Sequence, residues 1–146
     1  MPPDEPLPLS ARLLGLVALL PFLALAAIVA LAEDWPRNVG LQAMAGWGAV
    51  LLAFAGAVHW GLALAGAARP VPRLLGGALA ALWAWAAIAL LTPGRGCLTL
   101  AVGFALAQAI EECATLGGGY LRLRRLQSVV ACGALLVAWL AAVGRG

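Results

Sequence analysis

From Leu13 to Ala32 the chain runs for twenty residues without a charged side chain. At 1.5 Å of rise per residue, a helix of about that length crosses a hydrocarbon layer ~30 Å thick. Four more apolar runs follow, at 44–68, 74–91, 97–116 and 126–143. A soluble domain carries about 45–50% apolar and about 25% charged residues, whereas these 146 positions are 64% hydrophobic and 10% charged. The expectation is an all-α integral membrane protein, a single domain over 1–146 built as a bundle of five transmembrane helices. Five crossings and their connections leave no length here for a soluble catalytic domain.

Pro21 interrupts the first run, which membrane helices tolerate where neighbours satisfy the freed backbone. Ala30-Leu31-Ala32 looks like a signal-peptidase site. The apolar stretch is nevertheless longer than a signal-peptide core, and Asp4 and Glu5 offset its positive flank, so the run reads as a helix. Arg69-Pro70-Val71-Pro72-Arg73 and Thr92-Pro93-Gly94-Arg95-Gly96 read as loops, because proline removes a helical donor. Arg12, Arg69, Arg73, Arg122, Arg124 and Arg125 fall on the N-terminal side of the bilayer, against Arg37, Arg95 and Arg145 on the other. The positive-inside rule then places the N-terminus in the cytoplasm and the C-terminus outside. The net charge of +3 is explained by these loops, and it implies a lipid bilayer as partner and no nucleic acid. Trp35, Trp47 and Trp139 fall near the outer interface and Tyr120 near the inner one, as aromatic belts do.

His59, the only histidine, stands ~14 Å from the cytoplasmic end of a helix ending at 68, close to mid-membrane. An ionisable group at that depth is a functional candidate. Its plainer role is a neutral imidazole hydrogen-bonded to a neighbouring helix. One histidine builds neither a bis-histidine haem site nor a multi-histidine metal centre. A single axial bond to a tetrapyrrole would find room beside Ala55 and Gly56, but no cofactor or metal is expected.

Glu111 and Glu112 point about 100° apart on a helix and are not a catalytic pair. Gln108, Glu112 and Thr115 form a stripe that turns Glu112 inward and leaves Glu111 leaning toward the headgroups. Either carboxylate has a structural role in pairing with Arg122, Arg124 or Arg125. Its sharper role is a protonatable group communicating with His59. Ala45, Ala49, Ala53, Ala57, Gly61 and Ala65 recur every four residues, a ridge along which a second helix can approach closely. Trp60, Trp83 and Trp85 lie at depth, where each indole N–H needs a partner. Cys97, Cys113 and Cys132 have neither metal nor redox spacing. There is no phosphate loop, HExxH or GxSxG, and Gly117-Gly118-Gly119 lacks the Lys-Ser/Thr of phosphate chemistry. No catalytic residue is identified.

The segment Trp47 to Gly61, with its core F-x-G-x-x-H-W-G ending in His59-Trp60-Gly61, resembles the signature of a family of small bacterial membrane proteins of unknown function. That family is related to the mitochondrial protein called transmembrane protein sixty-nine. Gly15 with Pro21-Phe22 fits its G…P-F pattern, and Tyr120-Leu121-Arg122-Leu123-Arg124 fits its Y-x-x-L-R, placed in a loop before the fifth helix. Gly119 departs from a tryptophan usual there, and the acidic position stands farther upstream in the family. The resemblance implies a five-helix bacterial inner-membrane protein with no established activity, and it supports the topology above, in which the C-terminus lies in the periplasm. It singles out His59, Trp60, Gly61, Tyr120 and Arg124 without giving them a chemistry.

These features point first to a non-enzymatic accessory subunit or assembly factor that packs against other membrane subunits, in a bioenergetic complex if the mitochondrial kinship is followed. The candidate polar site is His59, Trp60, Gly61, Gln108, Glu111, Glu112, Tyr120 and Arg124. The alternatives are a small transporter or proton conductor using His59 and Glu112, which five helices would build only as a homo-oligomer, and a binder of a lipid, quinone or tetrapyrrole near Trp60, Trp83 or Trp85.

Overall fold

The computed structural model describes residues 7–66, 70–113 and 118–144. Among these residues the fold is all-helical: α1 (Leu9–Val17), α2 (Leu20–Leu31), α3 (Asp34–Leu64), α4 (Pro70–Ala89), α5 (Pro93–Glu112) and α6 (Gly118–Val143). Arg69, Thr115, Arg145, and the expected helix ends at 67–68 and 114–116 lie outside the described residues, as do Asp4 and Glu5.

The first apolar run is two helices. Pro21 has no N–H to continue the ladder, so α1 stops at Val17 and α2 restarts at Leu20 with the proline in its first turn. The Ala18 carbonyl at this break accepts a hydrogen bond from the Trp47 indole, at 3.1 Å. Ala32 and Glu33 then reverse the chain, helped by Asp34 at φ 50, a left-handed conformation that aspartate tolerates.

The other boundaries differ from the sequence reading for the same reason. Pro36, Pro70, Pro72 and Pro93 all sit in first turns, where the missing N–H would have had no helical partner. The expected Arg69–Arg73 and Thr92–Gly96 loops are therefore largely helical: Pro70–Arg73 open α4 and Pro93–Gly96 open α5. Likewise α6 begins at Gly118, so Tyr120 to Arg124 lie on a helix and not in a loop.

The 31-residue α3, about 46 Å long, touches α2, α4, α5 and α6. The core around it holds Phe22, Val29, Met44, Leu52, Leu100 and Leu135, all at most 1% exposed. Phe22 meets Phe104 edge to face, centroids 6.3 Å apart. The expected alanine ridge is buried at Ala45 and Ala49 but exposed at Ala57, Gly61 and Ala65. The closest backbone approach lies one residue off it. A Cβ on Gly56 would stand 2.8 Å from the Gly77 carbonyl oxygen, and one on Gly77 would stand 2.6 Å from that of Gly56.

Around the outside, leucine, valine, isoleucine and tryptophan side chains are exposed along the helices, far more apolar surface than a water-soluble monomer carries. Among the described residues, four helical segments are long and apolar enough to cross a membrane: Leu9–Leu31, Asp34–Leu64, Pro70–Ala89 and Gly118–Val143. The first unites α1 and α2. Four of the five expected crossings thus have the length and composition of a span, and α5, with Arg95 at one end and Gln108, Glu111 and Glu112 at the other, is not among them.

Candidate functional site

Two indoles decide where the bundle is tight and where it opens. Trp60 on α3 donates to the Leu74 carbonyl of α4, at 2.9 Å, and Trp83 on α4 donates to the Thr99 carbonyl of α5, also at 2.9 Å. In each case the ring lies against a glycine three or four residues further along the accepting helix. A Cβ at Gly77 would come within 2.4 Å of Trp60, and one at Gly103 within 2.9 Å of Trp83. The bare glycine lets the ring reach a carbonyl whose second lone pair is free beside the helical bond. These contacts satisfy the indole donors at Trp60 and Trp83.

The consequence is a wedge. α4 is held to α3 at Gly56–Gly77 and Trp60–Leu74, and to α5 at Trp83 and at Gly96, where a Cβ would stand 2.7 Å from the Ala87 carbonyl. Between those clamps α4 and α5 enclose a cavity of about 570 Å³ with α3, within the usual range of ligand sites. Trp83 lies at one end. His59, Arg73 and Glu111 gather at the other, and the wall between is apolar.

His59 is half-buried, and its imidazole hydrogen-bonds none of the described residues, so the expected bond to a neighbouring helix is absent among them. It stands five residues before the end of α3, about 8 Å along the axis, nearer the helix end than the expected ~14 Å because α3 stops at Leu64. The charges of Glu111, Arg73 and Arg124 all act on it.

The two carboxylates are exchanged relative to the sequence reading. Glu111 faces inward at 1% exposure, and the Arg124 Nε donates to both of its oxygens at 3.2 and 3.0 Å. Glu112 faces outward, where Arg125 Nε reaches it at 3.0 Å. The physical reason lies in α5 itself, whose buried residues Cys97, Leu100, Ala101, Phe104 and Glu111 repeat at helical spacing, while Glu112, about 100° further round, falls at the flank of that face. The carboxylate that shares the cavity with His59 is therefore Glu111, and the pairing of His59 with Glu112 needed for a relay is not formed.

Two parallel hydrogen-bonded strings tie this end together. In one, Arg124 Nη1 donates to Gln127, whose amide donates to the Gly15 carbonyl of α1 at 2.9 Å. In the other, Ser128 donates to Gln108, whose amide donates to Glu112 at 3.0 Å. The Tyr120 hydroxyl is buried beside Glu111, and Arg124 Nη2 is buried without a hydrogen-bond partner among the described residues. Gly61 meets open space, with nothing within 4 Å of where a Cβ would stand.

The structure thus brings His59 and Glu111 to one cavity and backs Glu111 with Arg124 and Tyr120. Trp60 serves as a helix clamp, and Gln108 and Glu112 lie at the rim of the bundle. Sequence reasoning misses Arg73, which it assigns to a loop, and Cys113, which lines the cavity mouth. The Cys97-to-Glu111 spacing is the signal for the correct carboxylate. No group of three or more metal-ligating side chains is present among the described residues.

Residues 7–140 match the model of the family described as Protein of unknown function (DUF3429). The chain belongs to this family. All eight candidate residues fall inside the matched span, and the family description attaches no activity to them. No curated protein and no solved structure matches the chain.

Proposed function

We propose that the chain is a non-enzymatic protein of the bacterial inner membrane whose α3–α4–α5 cavity holds an amphiphile taken from the bilayer. One observation carries this reading: the polar lining is confined to one end, while the rim residues Leu79, Leu106 and Ile110 are 64%, 51% and 60% exposed. A molecule in the hydrocarbon phase would reach such a cavity sideways, between α4 and α5, and would settle with its polar group at His59.

The topology that fits this reading has five crossings, with α1 and α2 as the first and α5 as the fourth. α5 covers the core with Cys97, Leu100 and Phe104 and keeps its charges at its ends. The excess of arginine at the His59 end favours the cytoplasmic leaflet for that end and for the N-terminus. A kinship with mitochondrial transmembrane protein sixty-nine, read from the motif around His59-Trp60-Gly61 alone, would favour an energy-transducing membrane.

The test is mass spectrometry of the lipid extract from protein purified in mild detergent. The expected result is one amphiphile class enriched over its share of the source membrane. Ala107→Trp, which puts an indole into the empty volume, lowers that enrichment several-fold while the protein stays folded. An extract mirroring the source membrane for both proteins rejects the reading.

A second reading, an accessory subunit or assembly factor of a larger complex, is favoured by the exposed Ala57, Gly61 and Ala65 on α3, where a partner helix could approach closely. A native gel in the same detergent showing only a single free chain would reject it.

A further inference from the structure

The outer surface of the bundle is not uniform. The exposed side of α4 carries Leu75, Leu79, Leu82 and Trp85, each more than half exposed, as contact with lipid favours. On α5, which is not among the segments apolar enough to cross a membrane, Ala105, Ala109 and Glu112 are exposed instead. Ala105 and Ala109 stand about 100° round the helix from Leu106 and Ile110 respectively, and only the latter two line the cavity.

Beside this face runs α6, joined to α5 where Ser128 donates to Gln108 and Cys132 to the Ala101 carbonyl. Arg125, Val129 and Gly133, four residues apart, are exposed along it, and a Cβ on Gly133 would meet nothing within 4 Å. The groove between the two helices is thus floored by small side chains, which a third helix can approach closely. Its specificity comes from the charges at one end.

Glu112 and Arg125 lie side by side, 3.0 Å apart, with side chains 43% and 61% exposed. Two copies inserted the same way round in a bilayer are related by a two-fold axis only when that axis is the membrane normal. Such an axis passing between the two side chains exchanges left and right, so that each Glu112 faces the partner subunit's Arg125 and like charges lie on the diagonals. The patch is therefore complementary to itself, as an isologous interface requires. The exposed Ala57, Gly61 and Ala65 of α3 include no charged pair.

We propose that two copies of this chain pair in the membrane through the α5–α6 groove, with Glu112 of each set against the partner subunit's Arg125. The pairing does not depend on what the cavity holds.

The test uses full chains labelled at the C-terminus with a donor or an acceptor dye, reconstituted in phosphatidylcholine vesicles, with energy transfer followed as added lipid dilutes the protein. Wild-type transfer is expected to exceed chance proximity and to fall on dilution. Glu112→Arg and Arg125→Glu each set like charges face to face, and each moves the midpoint of that curve about tenfold toward higher protein density. Mixing the two variants restores the transfer, because each supplies the charges the other lacks, and so does placing both substitutions in one chain. A role confined to the fold of a single chain gives no recovery on mixing.

Wild-type transfer at the chance level at every dilution overturns the proposal. Undiminished transfer in both single variants also overturns it, by moving the contact to another face, and so does a loss that mixing does not recover. If the single variants fail to fold, Ala109→Trp, which adds its bulk at an exposed position, is expected to abolish the transfer, and an unchanged curve overturns the groove.

Discussion

Two adjacent carboxylates, Glu111 and Glu112, pair with two adjacent arginines, Arg124 and Arg125, each across thirteen residues and each at 3.0 Å. In length and chemistry the pairs are the same. In surroundings they are opposites: the Arg124–Glu111 side chains are 10% and 1% exposed, the Arg125–Glu112 side chains 61% and 43%. One residue of helix rotation, about 100°, separates a pair sealed against the cavity from one at the surface. The lesson is that ion-pair geometry says little about consequence until the medium around it is known.

The largest effect is expected from breaking the inner pair on one side. Glu111→Ala leaves a buried guanidinium uncompensated and lowers stability by about 3–5 kcal/mol, read as a drop in the thermal unfolding midpoint in detergent. Removing both charges sharpens the point. Glu111→Leu with Arg124→Met recovers most of that loss, because an apolar replacement avoids two desolvation costs. A double mutant no better than Glu111→Ala would mean that the pair stabilises the fold by itself.

Smaller still is Gln127→Ala, which removes an acceptor from Arg124 and a donor to the Gly15 carbonyl. Each such bond contributes about 0.5–1.5 kcal/mol, and the loss appears as faster proteolysis within α1. The smallest effect belongs to the outer pair: Glu112→Gln leaves the midpoint unchanged within error. Raising the salt concentration mimics it, since only exposed charges are screened efficiently. A midpoint for Glu112→Gln as low as that for Glu111→Ala would break the comparison outright.

The sequence carries much of the architecture and less of the site. Apolar runs of helix-spanning length read as helices in so apolar a chain, and the described residues of those runs are almost all helical. Their ends escape the sequence wherever proline stands in a first turn, as at Pro70 and Pro93, because the residue that breaks a helix interior also opens one. α6 starts eight residues before its apolar run because three arginines that resemble a surface loop are helical, and Arg124 among them turns inward to Glu111. The carboxylates are exchanged because the polar partner Gln108 does not mark the buried side. The apolar residues at 97, 100, 101 and 104 mark it instead, since burial of large side chains, not the position of one amide, orients a helix. The cavity itself has no sequence signature, because it arises from where Trp83 and Gly96 hold α4 to α5 and where nothing does.

The Trp83 indole bond gives the wedge a natural gauge. Its proton lies on the line between α4 and α5, directly above the cavity, so any widening lengthens a 2.9 Å contact and any filling that draws the helices together preserves it. A hydrogen-bonded indole proton resonates apart from a free one. Any change in the spacing of α4 and α5 would therefore be read from the one indole signal of Trp83 in the side-chain nuclear magnetic resonance spectrum.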